Sequence, residues 1–213
     1  MDNIIIYGAG FGREVALMLT QINEVKVTWN VLGFYDDGKC PGDVVDDLPV
    51  LGGLEDLNTT TEKISVVIAI ADPFVRSKIV FSLTNKKLNF PVIIHPHALT
   101  GDRKRNAFGQ GTIITAGNIL TTHIQTGDFV IINLSSTIGH DVTIGKFSTI
   151  MPCCHISGSV KIGEASLVGT GAGILQNLTL GKGCKVGAGA IVTRDVAEGE
   201  TVMGVPAKPK RNA

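Results

Sequence analysis

His140 and Asp141 are neighbours in this 213-residue chain, and together they could take a proton from an attacking group. An imidazole is the side-chain base suited to neutral pH. An adjacent carboxylate can hold one ring nitrogen protonated, which leaves the other free to accept. Four other histidines rank below it: His95, His97, His123 and His155. His123 precedes His140 by seventeen residues and could flank the same cleft. His155 is expected at an exposed corner, and His95 and His97, on either side of Pro96, in a structural junction. A catalytic zinc would need three converging histidines, two of them about five residues apart. Ser135 and Gly145 occupy the positions that could complete such a pair around His140, so no metal is expected.

A second constellation lies near the start. Gly8-Ala9-Gly10-Phe11-Gly12 follows one apolar run and Asp36-Asp37-Gly38 follows another. A glycine turn opening a helix presents backbone N–H groups to a phosphate or a carboxylate. Acids at the end of the next strand, about twenty residues on, can accept from a ribose or a base. Arg13 stands at the third glycine position of the dinucleotide fingerprint, and this half is too short for a second mononucleotide unit. NAD is therefore not an expected ligand.

The elements that must carry these residues read differently in the two halves. Residues 3–7, 31–35, 65–70 and 91–94 have the composition of buried strands, and 13–19 and 73–83 read as helices, the second opened by Pro73. This is the grammar of a parallel α/β sheet of about four strands, Rossmann-like and truncated. From Phe108 to Val192 a six-residue beat takes over. Fourteen of the fifteen residues at that spacing are apolar, the exception being Thr126. Glycine often follows the apolar residue, as at Gly109, Gly127, Gly139, Gly145, Gly163, Gly169, Gly181 and Gly187, and is read as relieving φ at a corner. Four residues after the apolar one sits something small or β-branched, such as Thr112, Ser136, Ser148, Cys154 or Ala172. A period of six is neither helical nor a simple strand alternation. It fits short strands joined by corners, three to a triangular coil, stacked as a parallel β-solenoid. The domains are accordingly 1–92 and 93–213, and the flat faces of a five-coil prism predict self-association.

Composition narrows the function. Lys plus Arg equals Asp plus Glu at nineteen each, so no global field draws the chain to nucleic acid. The basic tail Lys208, Lys210, Arg211 is read as solvated, or as lying near anionic phosphates. No run is long and apolar enough for a membrane span, and no signal peptide is read at the start. The cysteines Cys40, Cys153, Cys154 and Cys184 lack C-x-x-C spacing and read as small residues in a reducing compartment, with the cytoplasm the expected location.

The repeat, with Ile138-Gly139-His140-Asp141, Val186-Gly187-Ala188-Gly189-Ala190 and Gly204-Val205-Pro206-Ala207-Lys208, resembles the hexapeptide-repeat acyltransferases. Within them it is most similar to the branch that acetylates sialic acid or nucleotide-linked 4-amino sugars. That resemblance implies a left-handed β-helix, a homotrimer, and acetyl-CoA held in grooves between subunits. It implies His140 as general base with Asp141 behind it, the Gly158 N–H as oxyanion donor, and Thr149, Thr170 and Ala188 along the pantetheine groove. It places a nucleotide sugar at Gly10, Phe11, Gly12, Asp36, Asp37 and Ala71. The chain departs from the family in a glycine turn one residue shorter, in Phe11 where histidine is common, in Ala71 for a usual glycine, and in Thr149 where some members have histidine. The implied activity is acetyl transfer to the amine of a nucleotide-linked sugar for a surface glycan. O-acetylation of sialic acid, or a non-catalytic trimeric sugar-nucleotide binding module, are the alternatives.

Overall fold

The computed structural model describes residues 1–102 and 104–210, so Arg211 of the basic tail lies outside the described residues. The chain forms two compact units, Met1–Pro96 and His97–Ala213.

In the first unit six strands share one sheet: β1 (Asp2–Tyr7), β2 (Trp29–Tyr35), β3 (Val44–Val45), β4 (Leu48–Gly52), β5 (Ile64–Ile68) and β6 (Leu88–Asn89). Their spatial order is β3-β4-β2-β1-β5-β6, and every pairing is parallel except the β3–β4 hairpin. Successive side chains of a strand point to opposite faces, and Ile4, Ile5 and Ile6 of β1 are all buried. The central strand is thus covered on both sides. Helix α1 (Gly12–Val25) buries Gly12, Val15, Met18 and Leu19 along one stripe. Helix α2 (Leu54–Thr59) follows β4. Helix α3 (Pro73–Ser82) opens with proline, and the Asp72 side chain accepts from the N–H groups of Phe74 and Val75.

Two expectations need correction, and two elements had not been anticipated. Helix α1 runs well past residue 19. The hairpin at residues 44–52 and helix α2 were not legible, because both are too short to show a period. Residues 91–94 do not join this sheet. Pro91 has no N–H for a ladder, and the edge beside β5 is taken instead by Leu88 and Asn89, opposite Ile64 and Ser65.

In the second unit fifteen two-residue strands recur every six residues, from Ala107–Phe108 to Ile191–Val192. Each of the first twelve pairs in parallel with the strand eighteen residues on, as in Thr137↔His155 and His155↔Gly173. Three strands therefore close a coil, and the coils stack into three flat faces. The beat residues from Ile114 to Val192 point inward and are buried, while Phe108, at one end of the stack, is half-buried. The small position four residues on is buried as well and links coil to coil. Ser148 Oγ donates to Gly163 O at 2.7 Å and accepts from Ser166 N at 3.1 Å. Cys154 and Cys184 occupy this position, buried.

The corner glycines have a different cause from the one expected. Gly127, Gly145 and Gly163 do not adopt positive φ. A Cβ at these positions would meet the backbone nitrogens of Lys146, Glu164 and Lys182 at 2.5–2.6 Å, so stacking against the next coil excludes a side chain. Positive φ falls two residues later. There Asp141, Phe147, Cys153 and Ser159 all lie near 60°, one per corner.

Candidate functional site

His140 and Asp141 form one corner of the solenoid, directly after the strand Thr137–Ile138. The stacking fixes their backbone: Asp141 N donates to Thr122 O at 3.1 Å, and Ser159 N donates to His140 O at 2.8 Å. Their side chains stand outside the prism, 63% and 57% exposed, with His140 Nδ1 2.8 Å from Asp141 Oδ2. A carboxylate only accepts, so in the neutral ring Nδ1 carries the hydrogen and Nε2 is the acceptor. That nitrogen overhangs the next coil. A Cβ at Gly158 would lie 2.5 Å from His140 Nε2, so any larger residue there would displace the ring from this position. The Gly158 carbonyl accepts from Asn177 N at 3.0 Å, whereas its own N–H meets no acceptor among the described residues. A base and a backbone donor thus occupy adjacent coils.

Thr170 and Ala188 lie one coil apart at another corner. Both are exposed, and Gly189 N donates to Thr170 O at 2.8 Å. Gly171 and Gly189 beside them have φ of +70° and +65°, and a Cβ there would meet nothing within 4 Å. This edge is an open stretch of backbone that another molecule could approach closely. Thr149 does not share it. It lies on the strand Thr149–Ile150 with its side chain 0% exposed. The edge carrying His140 and the edge carrying Thr170 bound one flat face, formed by the strands at Thr137, His155, Gly173 and Ile191. A single chain therefore keeps the two edges a face apart.

The remaining histidines fall elsewhere. His123 occupies, one coil earlier, the left-handed position that Asp141 holds, and its Nδ1 lies 3.1 Å from Thr122 Oγ1. His155 is not at a corner. It is the residue before the inward Ile156, which puts it on a strand facing out, 2.9 Å from Thr137 Oγ1. His95 is buried and bonds Gln21 Oε1 at 2.8 Å.

In the first unit the glycine turn and the aspartates form one hydrogen-bonded cluster. Asp36 Oδ2 accepts from Ala9 N at 2.7 Å, and its Oδ1 accepts from Gly38 N at 2.8 Å. Asp37 Oδ2 accepts from the Tyr7 hydroxyl at 2.6 Å, and its Oδ1 accepts from Leu54 N at 2.8 Å. Burial, then the bond to Asp37, raises the Tyr7 phenol well above its ordinary range. Each carboxylate is thus already engaged in bracing its loop. The three glycines of the turn divide the work. Gly8 adopts φ of +95° under the Ile70 side chain, and Gly12 has no room for a Cβ between Ile6 and Phe34. Gly12 therefore provides the close helix–strand packing that the third glycine of a dinucleotide turn provides. Gly10 alone faces open space, with nothing within 4 Å of a Cβ. It borders a cleft of about 650 Å³ that Arg13, Leu17, Val31 and Asp46 also line, with Arg13 Nε 2.7 Å from Asp46 Oδ2. Asp36 and Asp37 border a second hollow of about 450 Å³ with Lys39, Gly53 and Leu54. Phe11 opens α1 without a side-chain cap. Ala71 lies between β5 and α3, where the guanidinium of Arg76, a residue the sequence reading passed over, donates to the carbonyls of Ile70 and Ala71.

A Rossmann-like α/β unit followed by a hexapeptide-repeat solenoid, with a His–Asp pair on one edge, defines an acyltransferase architecture. Residues 3–83 match the PglD N-terminal domain family. The chain is 32% identical to the acetyltransferase domain of PglB from Neisseria gonorrhoeae, solved in complex with acetyl coenzyme A, with a TM-score of 0.89 and 98% of each chain covered. It is 27% identical to perosamine N-acetyltransferase from Caulobacter crescentus, solved as a histidine-to-asparagine variant with CoA and GDP-perosamine. There the TM-score is 0.89, with 100% of this chain and 98% of that one covered. It is 31% identical over 149 residues to GDP-perosamine N-acetyltransferase from Escherichia coli, an alignment spanning 69% of this chain and 66% of that protein. The chain belongs to the PglD-like family of nucleotide-amino-sugar acetyltransferases.

Proposed function

We propose that the protein transfers the acetyl group of acetyl-CoA to the amine of a nucleotide-linked 4-amino sugar, supplying a precursor of a surface glycan. The observation that carries this reading is the His140 ring, oriented by Asp141 and seated over Gly158, in a family whose relatives are solved with acetyl-CoA and GDP-perosamine. In the reaction the sugar amine attacks the thioester carbon while His140 Nε2 takes a proton from it. The oxyanion that develops is within the province of the Gly158 N–H. Collapse of the tetrahedral species breaks the C–S bond and releases CoA. The nucleotide sugar is assigned to the first unit, at Gly10, Phe11, Gly12 and Ala71. Asp36 and Asp37 act there chiefly by bracing the glycine turn. The pantetheine arm is assigned to the open edge at Thr170 and Ala188, and the buried Thr149 lies off that edge. Because His140 and that edge lie a face apart in one chain, a homotrimer that sets one subunit's His140 edge against the next subunit's Thr170 edge completes the site.

The test is thiol release from acetyl-CoA with a panel of acceptors: GDP-perosamine, UDP- and dTDP-linked 4-amino sugars, and free sialic acid. Turnover with one nucleotide amino sugar and none with sialic acid is expected. Turnover with sialic acid alone would replace the amine by a hydroxyl nucleophile. Sedimentation at micromolar protein is expected to give a trimer, and a stable, active monomer would refute the shared site.

A further inference from the structure

Arg76 breaks two local rules at once. It is 1% exposed and among the largest fully buried side chains of the described residues. It sits in the first turn of α3, where the helix dipole opposes a cation. Asp72 beside it caps the helix through Oδ1, which accepts from Phe74 N and Val75 N at 2.9 Å each. Burial also pulls the guanidinium below its ordinary value, with Asp72 opposing. Removing such a cation from water costs several kcal/mol, and an apolar residue could fill the same volume without that penalty. What an apolar residue cannot do is donate. Arg76 Nη1 donates to Ile70 O at 2.5 Å and to Ala71 O at 3.1 Å. Bonding two successive carbonyls fixes two successive planar peptides, and with them the path of the chain from Ile70 to Asp72. That path bears on the glycine turn, because the Ile70 side chain and Ala69 O fill the space above Gly8.

We propose that Arg76 is a positioning residue of the acceptor site: it holds the Ile70–Ala71 backbone at the height over the Gly8 turn that the nucleotide amino sugar requires. This rests on the acceptor binding in the first unit. Arg76 touches no substrate itself, and it acts through the backbone it tethers.

The experiment compares Arg76→Met, Arg76→Lys and Gly10→Leu in the full-length protein, each checked by thermal melting. KM for the acceptor, KM for acetyl-CoA and kcat are measured on the nucleotide amino sugar turned over best by the wild type. Misplacing a site by about 1 Å costs up to about 10²-fold. Arg76→Met is accordingly expected to raise the acceptor KM about tenfold or more, with kcat and the acetyl-CoA KM within about twofold of wild type. Arg76→Lys keeps a cation but not the planar fork, so a rise of about threefold is expected. If Arg76→Met does not fold, Arg76→Lys decides. An acceptor KM unchanged in a folded Arg76→Lys overturns the inference, as does a parallel fall in every kinetic parameter. Gly10→Leu fills open space beside the turn and separates the two failures. An acceptor KM that rises in Gly10→Leu and stays put in the Arg76 variants overturns the positioning role alone. One unchanged in all three overturns the placement of the acceptor as well.

Discussion

The two units hold their candidate site residues in opposite ways. In the solenoid, His140 and Asp141 are outside the prism and their side chains bond mainly each other, while the stacked coils fix the backbone beneath them. In the α/β unit, Asp36 and Asp37 accept four hydrogen bonds between them and tie the glycine turn, Tyr7, Gly38 and the start of α2 together. Under the proposed function, one region separates chemistry from stability, and the other makes the same side chains serve both. A repeat allows the first arrangement because every coil is supported by its neighbours, whatever stands at its corners. A small sheet has few contacts to spare, so the loops at its strand ends must be braced by the residues they carry.

The contrast predicts how variants divide. His140→Ala should lower turnover by about 10²–10⁴-fold, the range for loss of a general base, and leave the melting temperature unchanged. Asp141→Asn should cost less, since the imidazole remains. A large loss of stability in either would break the separation. Within the solenoid the sensitive positions are the stacked glycines. Gly163→Ala places a Cβ 2.5 Å from Lys182 N and should destabilise by about 2–4 kcal/mol in denaturant titration. Gly189→Ala meets open space and should cost only the left-handed backbone penalty, about 1 kcal/mol. In the α/β unit, Asp37→Ala should weaken binding and stability together. It removes the acceptor of Tyr7 and of Leu54 N, for about 1–3 kcal/mol, and ultraviolet titration should show the Tyr7 phenol ionising at lower pH than in wild type.

A pH-dependent effect concerns the coil interior. Burial pushes the Cys154 thiol from 9.0 up to about 11, and raises Cys184 as well. Between those values the folded thiol keeps a proton that the unfolded chain has lost, so stability falls as pH rises across that window. Melting scans from pH 8 to 11 should show the decline, and Cys154→Ala should flatten it. A slope unchanged in that variant would assign it to other groups.

The solenoid was legible from the order of the residues because its period is local. Every sixth residue points inward, and the stacking partner lies a fixed eighteen residues away, so phase, coil count and the outward place of His140 follow from counting. Even there, what glycine is for was not legible. The exclusion of a Cβ at Gly127 or Gly163 comes from a backbone in the next coil, and only the stacked structure shows it. His155 was misplaced by one step of phase for a related reason, because strand and corner differ by a single residue in a six-residue beat.

The sequence by itself determined the class of fold in each half, the glycine turn, the aspartates at the next strand end, and the His–Asp pair, since each depends on residues close together in the chain. Tertiary structure alone decided which of them touch. It gave Asp36 and Asp37 to the bracing of their own loops, buried Thr149, set His140 over Gly158, and put a guanidinium beneath the Ile70–Ala71 backbone. Those pairings join residues far apart along the chain, or bury a charge against the usual preference. Neither composition nor period carries a trace of such contacts, because they are settled by the way packed elements meet.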